Sequence, residues 1–514
     1  MAAATRQREL SDAYDLLVVG GGINGTGIAR DAAGRGLSVL LAERGDLAGF
    51  TSSSSTKLIH GGLRYLEYYE FRLVREALAE RERLLRLAPH VIWPLRFVLP
   101  HDEGLRPAWM LRLGLFLYDH LARLRTLPGS EGIDLRKSAF GAPLQKRLTR
   151  GFVYSDCWVE DSRLVVLNAM DARERGATVL TRTGVVSARR EGQGEDAHWV
   201  ATLRDERGGG ERTIRAKAVV NAAGPWVSAT LGGTLGINSR AAVRLIKGSH
   251  IVVKRLFAGD QAYILQQPDK RIIFAIPYER DFTLIGTTDV PYDGEPGPVS
   301  ISQDETDYLC GCVNRSFDTA ITPADVVWSY SGVRPLYDDA AENASAVTRD
   351  YVLDVEDQGG RAAVLSVFGG KITTYRRLAE HALEKLKPYF PALKKAWTGD
   401  AVLPGGAMQD ADFDQFLAKL EAEKPFLPEE TARRLARAYG TRARDIVGTA
   451  QSLADLGEAF EGGLTAAEVD YLRTEEWAVT ADDILWRRSK LGLRTSPEGA
   501  ARLAAYLDRR AEAA

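Results

Sequence analysis

The stretch YDLLVVGGGINGTGIARDAAGRGLSVLLAERGDL, Tyr14 to Leu47, decides the fold. Leu16 to Val19 form an unbroken apolar run, as a strand buried on both faces requires. Gly20, Gly22 and Gly25 follow at G-x-G-x-x-G spacing. Ile23 to Ala33 then reads as a helix stopped by Gly34 and Gly36. Leu37 to Ala42 is a second apolar strand, with Glu43 at its end. Strand, glycine turn, helix, strand and acid together predict a dinucleotide-binding βαβ unit. The first glycine permits the tight turn, and the second lets backbone approach a pyrophosphate. The third lets the helix pack close to the strand, and the helix N-terminus attracts the phosphates. Glu43 is placed to accept from ribose hydroxyls; its charge would repel a 2′-phosphate, which argues against NADP.

Two later segments favour FAD over NAD. KAVVNAAGPWV, Lys217 to Val227, is a buried strand ending in Ala-Ala-Gly-Pro that returns to the same nucleotide fold. VLSVFGGKITTYRRLAEHAL, Val364 to Leu383, runs from an apolar strand through Gly369-Gly370-Lys371 into a helical pattern. A Gly-Gly turn at a helix start can offer N–H groups to the O2 and N1 side of a flavin.

A chain of 514 residues is too long for one core and predicts two or three domains. A formal net charge of -2 provides no global field for nucleic acid, so no nucleic-acid partner is expected. Cys157, Cys310 and Cys312 are too few for a disulfide framework and show no metal-ligand spacing. MAAATRQRELSDAYD lacks the apolar core of a secretory signal, and no apolar run is long enough to span a bilayer. The expected location is cytoplasmic, with any membrane contact peripheral. Phe71 to Leu87 reads as an amphipathic helix. Leu105 to Arg125 crowds Trp109, Met110, Leu113 and Phe116 between Arg106, Arg112, Arg123 and Arg125. That pattern suits a membrane interface and a buried helix about equally. Strand-like runs near 260 to 290 predict an antiparallel substrate domain, and the pattern after Leu403–Gly406 is helical, with Thr480 as an N-cap.

The chain resembles the FAD-dependent glycerol-3-phosphate dehydrogenases, the aerobic respiratory enzymes. The resemblance is carried by the opening stretch, by TSSSSTKLIHGGLRYLEYYEFRLVREALAERERLL (Thr51 on) and by GFVYSDCWVEDSRLV, RLIKGSHIVV, IGTTDV, WSYSGVRPL and SVFGGKITTYRRLAEHALEKL. It implies an α/β, Rossmann-like, glutathione-reductase-like FAD-binding domain, an antiparallel-sheet substrate domain and a C-terminal all-α domain. The corresponding ranges are 12–90, 150–240 and 340–400 for FAD, 91–149 and 241–339 for substrate, and 401–514 for the helices. The implied reaction oxidises sn-glycerol 3-phosphate to dihydroxyacetone phosphate and passes electrons to ubiquinone or menaquinone. That tips the helix at 105–125 towards peripheral contact with the inner face of the cell membrane. The helical domain is read as a place for partner or homodimer contacts.

FAD is expected on Gly20, Gly22, Asn24, Gly25 and Glu43, and on Thr51, Ser52, Ser53, Ser54 and Gly61. Ala223, Gly224, Gly370, Lys371, Ile372 and Thr373 complete that set. A phosphorylated alcohol needs fixed cations and a base. Arg334 is the first candidate anchor; Arg64 with Tyr65, Lys371 and Thr288 join it. His60 is preferred as base and His250 as a polarising group, only slightly over the reverse. Two other readings stay open: a soluble oxidase that gives electrons to O2, and a flavin-binding interaction protein without redox turnover.

Overall fold

A computed structural model of the chain describes residues 10–102, 106–122, 126–238, 243–337 and 350–512. Ala13–Val19 is the central strand, and Leu16, Leu17 and Val18 have no exposed surface. It runs parallel to Val39–Ala42 on one side and to Glu211–Asn221 on the other. Thr178–Leu180 and Val364–Phe368 extend the sheet in parallel, and Val352–Glu356 closes one edge antiparallel. Alternation sends Leu16 and Val18 to one face, against helices Ile23–Gly34, Asp161–Glu174 and Tyr375–Leu386. Leu17 faces the opposite layer, where Trp199 of the Thr183–Glu191/His198–Asp205 hairpin is buried. The nucleotide domain is therefore the doubly covered α/β sheet that the apolar runs predict.

Among the described residues the second sheet has ten strands. Val243–Lys254 pairs antiparallel with Phe282–Gly286 and with Val326–Tyr337. Ile92–His101 pairs antiparallel with Arg150–Val159, and one parallel contact joins Ile92–His101 to Ala262–Gln266. The sheet thus departs from pure antiparallel order. It also moves a boundary: Arg150–Val159 stands in register with Ile92–His101, so it belongs with the second sheet, expected from 91–149 and 241–339, rather than with the nucleotide layer expected for 150–240. Leu58–Ile59, inside 12–90, adds to the same sheet beside Trp158 and Cys157. The chain returns to the nucleotide layer only at helix Asp161–Glu174.

Beyond Gly406 the named elements among the described residues are helical, the longest being Phe413–Glu423, Glu429–Tyr439, Ala466–Glu476 and Pro497–Glu512. Thr480 caps as expected: its Oγ1 accepts the Asp483 N–H at 3.3 Å. The Asp483 carboxylate in turn accepts from Val479 and Thr480 N–H groups at 2.8 and 2.9 Å. The turn so started, Asp483–Arg488, is of π type. This domain is tied down by the buried Arg163–Glu476 pair and by Arg488, which donates twice to Asp46 at 2.8 Å.

The amphipathic segment forms helix Phe71–Leu87, and the aromatic segment forms helix Ala108–Leu121. Leu111, Leu115 and Tyr118 are buried, while Trp109 is 70% and Phe116 50% exposed. Leu105, Arg123 and Arg125 lie outside the described residues. Among the described residues no helix is long and apolar enough to cross a membrane, and no cluster of side chains has the make-up of a metal site. All three cysteines are buried thiols.

Candidate active site

A cleft of about 630 Å³ opens at the C-terminal ends of Ala13–Val19 and Glu211–Asn221, where parallel sheets bind ligands. The glycines divide the work of building it. Gly20 has φ +110°, and a Cβ there would lie 2.5 Å from Ala222 O. A Cβ on Gly25 would lie 1.9 Å from Gly20 O, so only glycine lets the helix pack this close. Beside Gly22 the nearest atom is Ser52 Oγ at 3.1 Å; the space above it belongs to the cleft. The helix starting there has no side-chain cap, though Ile23 N–H donates to Ser52 Oγ at 3.0 Å. Its remaining N-terminal donors suit an anion.

Glu43 lines the cleft and accepts from Gly21 N–H at 2.6 Å and Gly45 N–H at 2.7 Å. Burial raises its carboxyl above the ordinary range, against the pull of those two donors. Asn24 donates Nδ2 to Gly369 O at 3.1 Å, and its Oδ1 is buried without a partner among the described residues. Gly370, at φ +100°, passes so close that a Cβ would sit 2.8 Å from Asn24 Nδ2. Ala223 and Gly224 line the cleft as well.

The run Thr51–Ser55 is a tied loop. Thr51 Oγ1 donates to Val333 O at 2.7 Å, and Thr51 and Ser52 line the cleft. Ser53 and Ser54 donate their hydroxyls to Phe50 O at 3.1 and 3.4 Å. Ser55 donates to Asp161 at 2.7 Å, and Lys57 forms a fully buried pair with the same carboxylate. Gly61 is closely packed: a Cβ there would meet Leu78 at 2.6 Å and Tyr118 Oη at 2.7 Å. Its N–H donates to Tyr118 Oη at 2.8 Å, and Tyr118 donates to Asp156, which Arg81 holds.

One face of the second sheet collects the rest. His250 opposes Tyr330, Gly248 opposes Gly332, and Ile246 opposes Arg334 across Val243–Lys254 and Val326–Tyr337. Residues two apart share a face, so His250, Tyr330 and Arg334 stand together. The two glycines keep the middle bare. A Cβ on Gly248 would lie 2.1 Å from Arg334 Nη2, and one on Gly332 would lie 2.6 Å from Ser54 Cβ. Arg334 donates to Asp289 at 2.8 Å, to Thr287 Oγ1 at 2.9 Å and to Thr288 O at 3.1 Å. Its neighbour Pro335 lines the large cleft, and Ser331 to Val333 line a smaller one of about 190 Å³ that shares Thr51 and Trp226 with it.

His250 is buried; its Nε2 meets Thr56 Oγ1 at 3.0 Å and its Nδ1 has no partner among the described residues. Burial, aided by the Arg334 and Lys57 charges, holds it well below the usual histidine range, so the ring is neutral. His60 is partly exposed, and its backbone N–H donates to Thr373 Oγ1 at 3.2 Å. Lys371 lies over the Tyr65 ring, 3.8 Å from its centre, and Ile372–Thr374 is the single turn leading into helix Tyr375–Leu386. Arg64 is partly exposed, with Nη2 3.5 Å from Tyr68 Oη. Thr288 departs from its expected substrate contact. Its side chain is 1% exposed; it donates to Glu305 at 2.8 Å and accepts Ser249 N–H at 2.9 Å, and only its carbonyl reaches Arg334.

Several cleft residues carry no motif at all. Arg44 lies over the Trp226 ring at 4.6 Å, and Trp226 meets Phe50 edge-on at 4.6 Å. Gly184 to Val186, on the antiparallel hairpin, also line the cleft. The one usable signal was the GPW turn after a nucleotide-domain strand.

The family model for FAD dependent oxidoreductases matches residues 15–376, and that for the C-terminal domain of alpha-glycerophosphate oxidase matches 396–512. The aerobic glycerol-3-phosphate dehydrogenase of Escherichia coli is 52% identical over 495 residues, 96% of this chain and 97% of that one. The chain belongs to the FAD-dependent glycerol-3-phosphate dehydrogenase family. A second family relative, the D-erythritol 1-phosphate dehydrogenase of Brucella abortus, is 55% identical over 476 residues, 93% of this chain and 94% of that one. The glycerol-3-phosphate dehydrogenase of Bacillus halodurans, solved with FAD, superposes with a TM-score of 0.74 at 26% identity, covering 98% of this chain and 95% of that one. FAD is the cofactor of this family member, and the cleft fits it. Gly22 leaves room for a pyrophosphate at a helix N-terminus, Glu43 lines the same cleft, and the buried Asn24 Oδ1 is an unused acceptor among the described residues.

Proposed function

We propose that the chain oxidises sn-glycerol 3-phosphate to dihydroxyacetone phosphate while peripherally bound to the inner face of the cell membrane, and that its electrons pass to ubiquinone or menaquinone. The carrying observation is the sheet face that sets Arg334 beside His250 with glycines between them. Bound FAD supplies the hydride acceptor. Arg334, its fork preset by Asp289 and Thr287, offers a fixed cation to the phosphate. His60 takes the hydroxyl proton, and the neutral His250 orients the Thr56 hydroxyl at its Nε2. The outward face of helix Ala108–Leu121, with Trp109, Leu113 and Phe116 exposed, supports the membrane contact.

Anaerobic mixing with glycerol 3-phosphate tests the reaction: flavin absorbance near 450 nm, the ordinary oxidised-flavin band, should bleach in one turnover. No bleaching removes the reading. His60→Gln should slow bleaching at least roughly 10²-fold if His60 is the base. The identity to the Brucella enzyme favours a second reading, in which the polyol phosphate is longer by one carbon. D-erythritol 1-phosphate in the same assay separates the two, the better substrate being the one with higher kred/Kd.

A further inference from the structure

We infer that Trp486, from the C-terminal helical domain, is a positioning residue for the substrate site, acting through Trp328 and Tyr330 on His250 and on the loop that ends at Lys57. The inference rests on the reading of this sheet face as the substrate site. Four rings form one ladder. His250 stacks on Tyr330 with centroids 4.7 Å apart and planes 16° from parallel. Tyr330 meets Trp328 at 5.1 Å, and Trp328 stacks on Trp486 at 4.4 Å and 18°. Register explains the first three rings. Tyr330 opposes His250 and Trp328 opposes Val252, so the two aromatic residues share the face that carries Arg334 further along. The fourth ring is delivered by another domain.

Tyr330 is the branch point. Its hydroxyl donates to Ser55 O at 2.8 Å, and its ring covers Lys57 Nζ at 5.0 Å. Lys57 also donates to Ser53 O at 3.1 Å. One ring therefore braces His250 and the loop that brings Thr51 and Ser52 to the cofactor cleft.

Trp486 has little freedom to move. A Cβ on Gly492 would lie 2.4 Å from its indole, so the ring is clasped between Gly492 and Trp328. Its turn is pinned to the nucleotide domain by Arg488 on Asp46 and by Arg182, which donates to Asp483 at 2.8 Å. Close-packed rings transmit displacement, because a gap on one side forfeits the contacts that hold the neighbour. Without the indole, Trp328 loses its outer support and the ladder gains room to slide.

The test uses the FAD-loaded full chain with ¹³C-labelled histidine, the His250 signal being assigned by its loss in His250→Gln. In the parent the buried, neutral His250 should not titrate across the ordinary histidine range. In Trp486→Leu its signal should shift and gain pH dependence. Anaerobic flavin reduction should slow about 10-fold while the substrate Kd changes less than about twofold. Trp486→Phe should restore both. An unmoved His250 signal or a parent-like reduction rate in Trp486→Leu overturns the inference, whatever happens to its melting temperature. If Trp486→Leu fails to fold, Trp328→Phe takes its place and must move the same signal; if it does not, the inference falls. His250→Gln alone separates the two claims: parent-like reduction there retires the role proposed for His250, whereas Trp486→Leu decides the coupling.

Discussion

Arg334 and Asp289 form a preset fork: one guanidinium nitrogen donates to the carboxylate at 2.8 Å while the other reaches Thr287 Oγ1 at 2.9 Å. The pair is partly exposed, so its own contribution to stability is small, and its value lies in orientation. Arg334→Lys keeps the charge but loses the planar fork. The expected result is a rise in KM for glycerol 3-phosphate of roughly 10–10²-fold, as for loss of a charge-assisted hydrogen bond. Asp289→Asn should raise it by no more than about tenfold, since the cation remains. Steady-state kinetics with an artificial electron acceptor check both, and an unchanged KM in Arg334→Lys removes Arg334 from the substrate site.

Glu43 makes a complementary case on the cofactor side. Its two oxygens already accept Gly21 and Gly45 N–H groups, so the carboxylate is fixed before any ligand arrives. Glu43→Gln places an amide NH₂ against one of those N–H donors. FAD affinity should fall about 10–10²-fold, the worth of a hydrogen bond to a charged group. Fluorescence titration of the apoprotein with FAD measures this. Parent affinity would show that Glu43 does no more than hold its own loop.

The nucleotide half was legible because local rules and tertiary demands coincide there. Gly20 needs positive φ and Gly25 needs zero side-chain volume, and each demand leaves a mark at fixed spacing. Arg334 and IGTTDV were each legible as motifs, but their meeting was not, since Asp289 and Thr287 come from a different strand end. Gly61 shows the limit of such a mark. A glycine reports close approach without saying of what, and here the neighbours are Leu78 and Tyr118. The strand Arg150–Val159 was assigned to the wrong layer because its partner, Ile92–His101, lies far away in sequence. Trp486 was invisible for the same reason: a ring stack between domains has no period.

Helix Ala108–Leu121 yields a prediction about the surface. Trp109, Leu113 and Phe116 lie on its outward side, while Leu111, Leu115 and Tyr118 hold it to the protein. The double variant Trp109→Ala/Phe116→Ala removes two large apolar side chains from the interface without touching the packed face. Binding to anionic liposomes should fall at least about 10²-fold, from roughly 1.5–3 kcal/mol for each such side chain buried. Flavin reduction in solution should stay at the parent rate. Undiminished cosedimentation with liposomes would exclude this helix as the anchor.

His90 provides the pH prediction. It is fully buried between helix Phe71–Leu87 and strand Ile92–His101, close under Gly405 and Gly440 where the helical domain begins. Burial, reinforced by the Arg163 and Arg437 charges, pushes it down to about 3. In the unfolded chain it titrates near 6.5, so below that pH the unfolded state takes up a proton that the folded state refuses. Stability therefore falls as pH drops from about 6.5 towards about 3, by roughly 2 kcal/mol at pH 5 from this residue alone. His250, also depressed by burial, adds a slope of the same sign, so the difference between parent and variant is the quantity to read. His90→Leu costs packing at neutral pH but cannot take up the proton. Its deficit against the parent should therefore shrink by roughly 2 kcal/mol between pH 7 and pH 5 when melting is followed across that range. A deficit that stays constant with pH would mean that His90 is protonated in the folded protein, with a charge partner that burial alone does not supply.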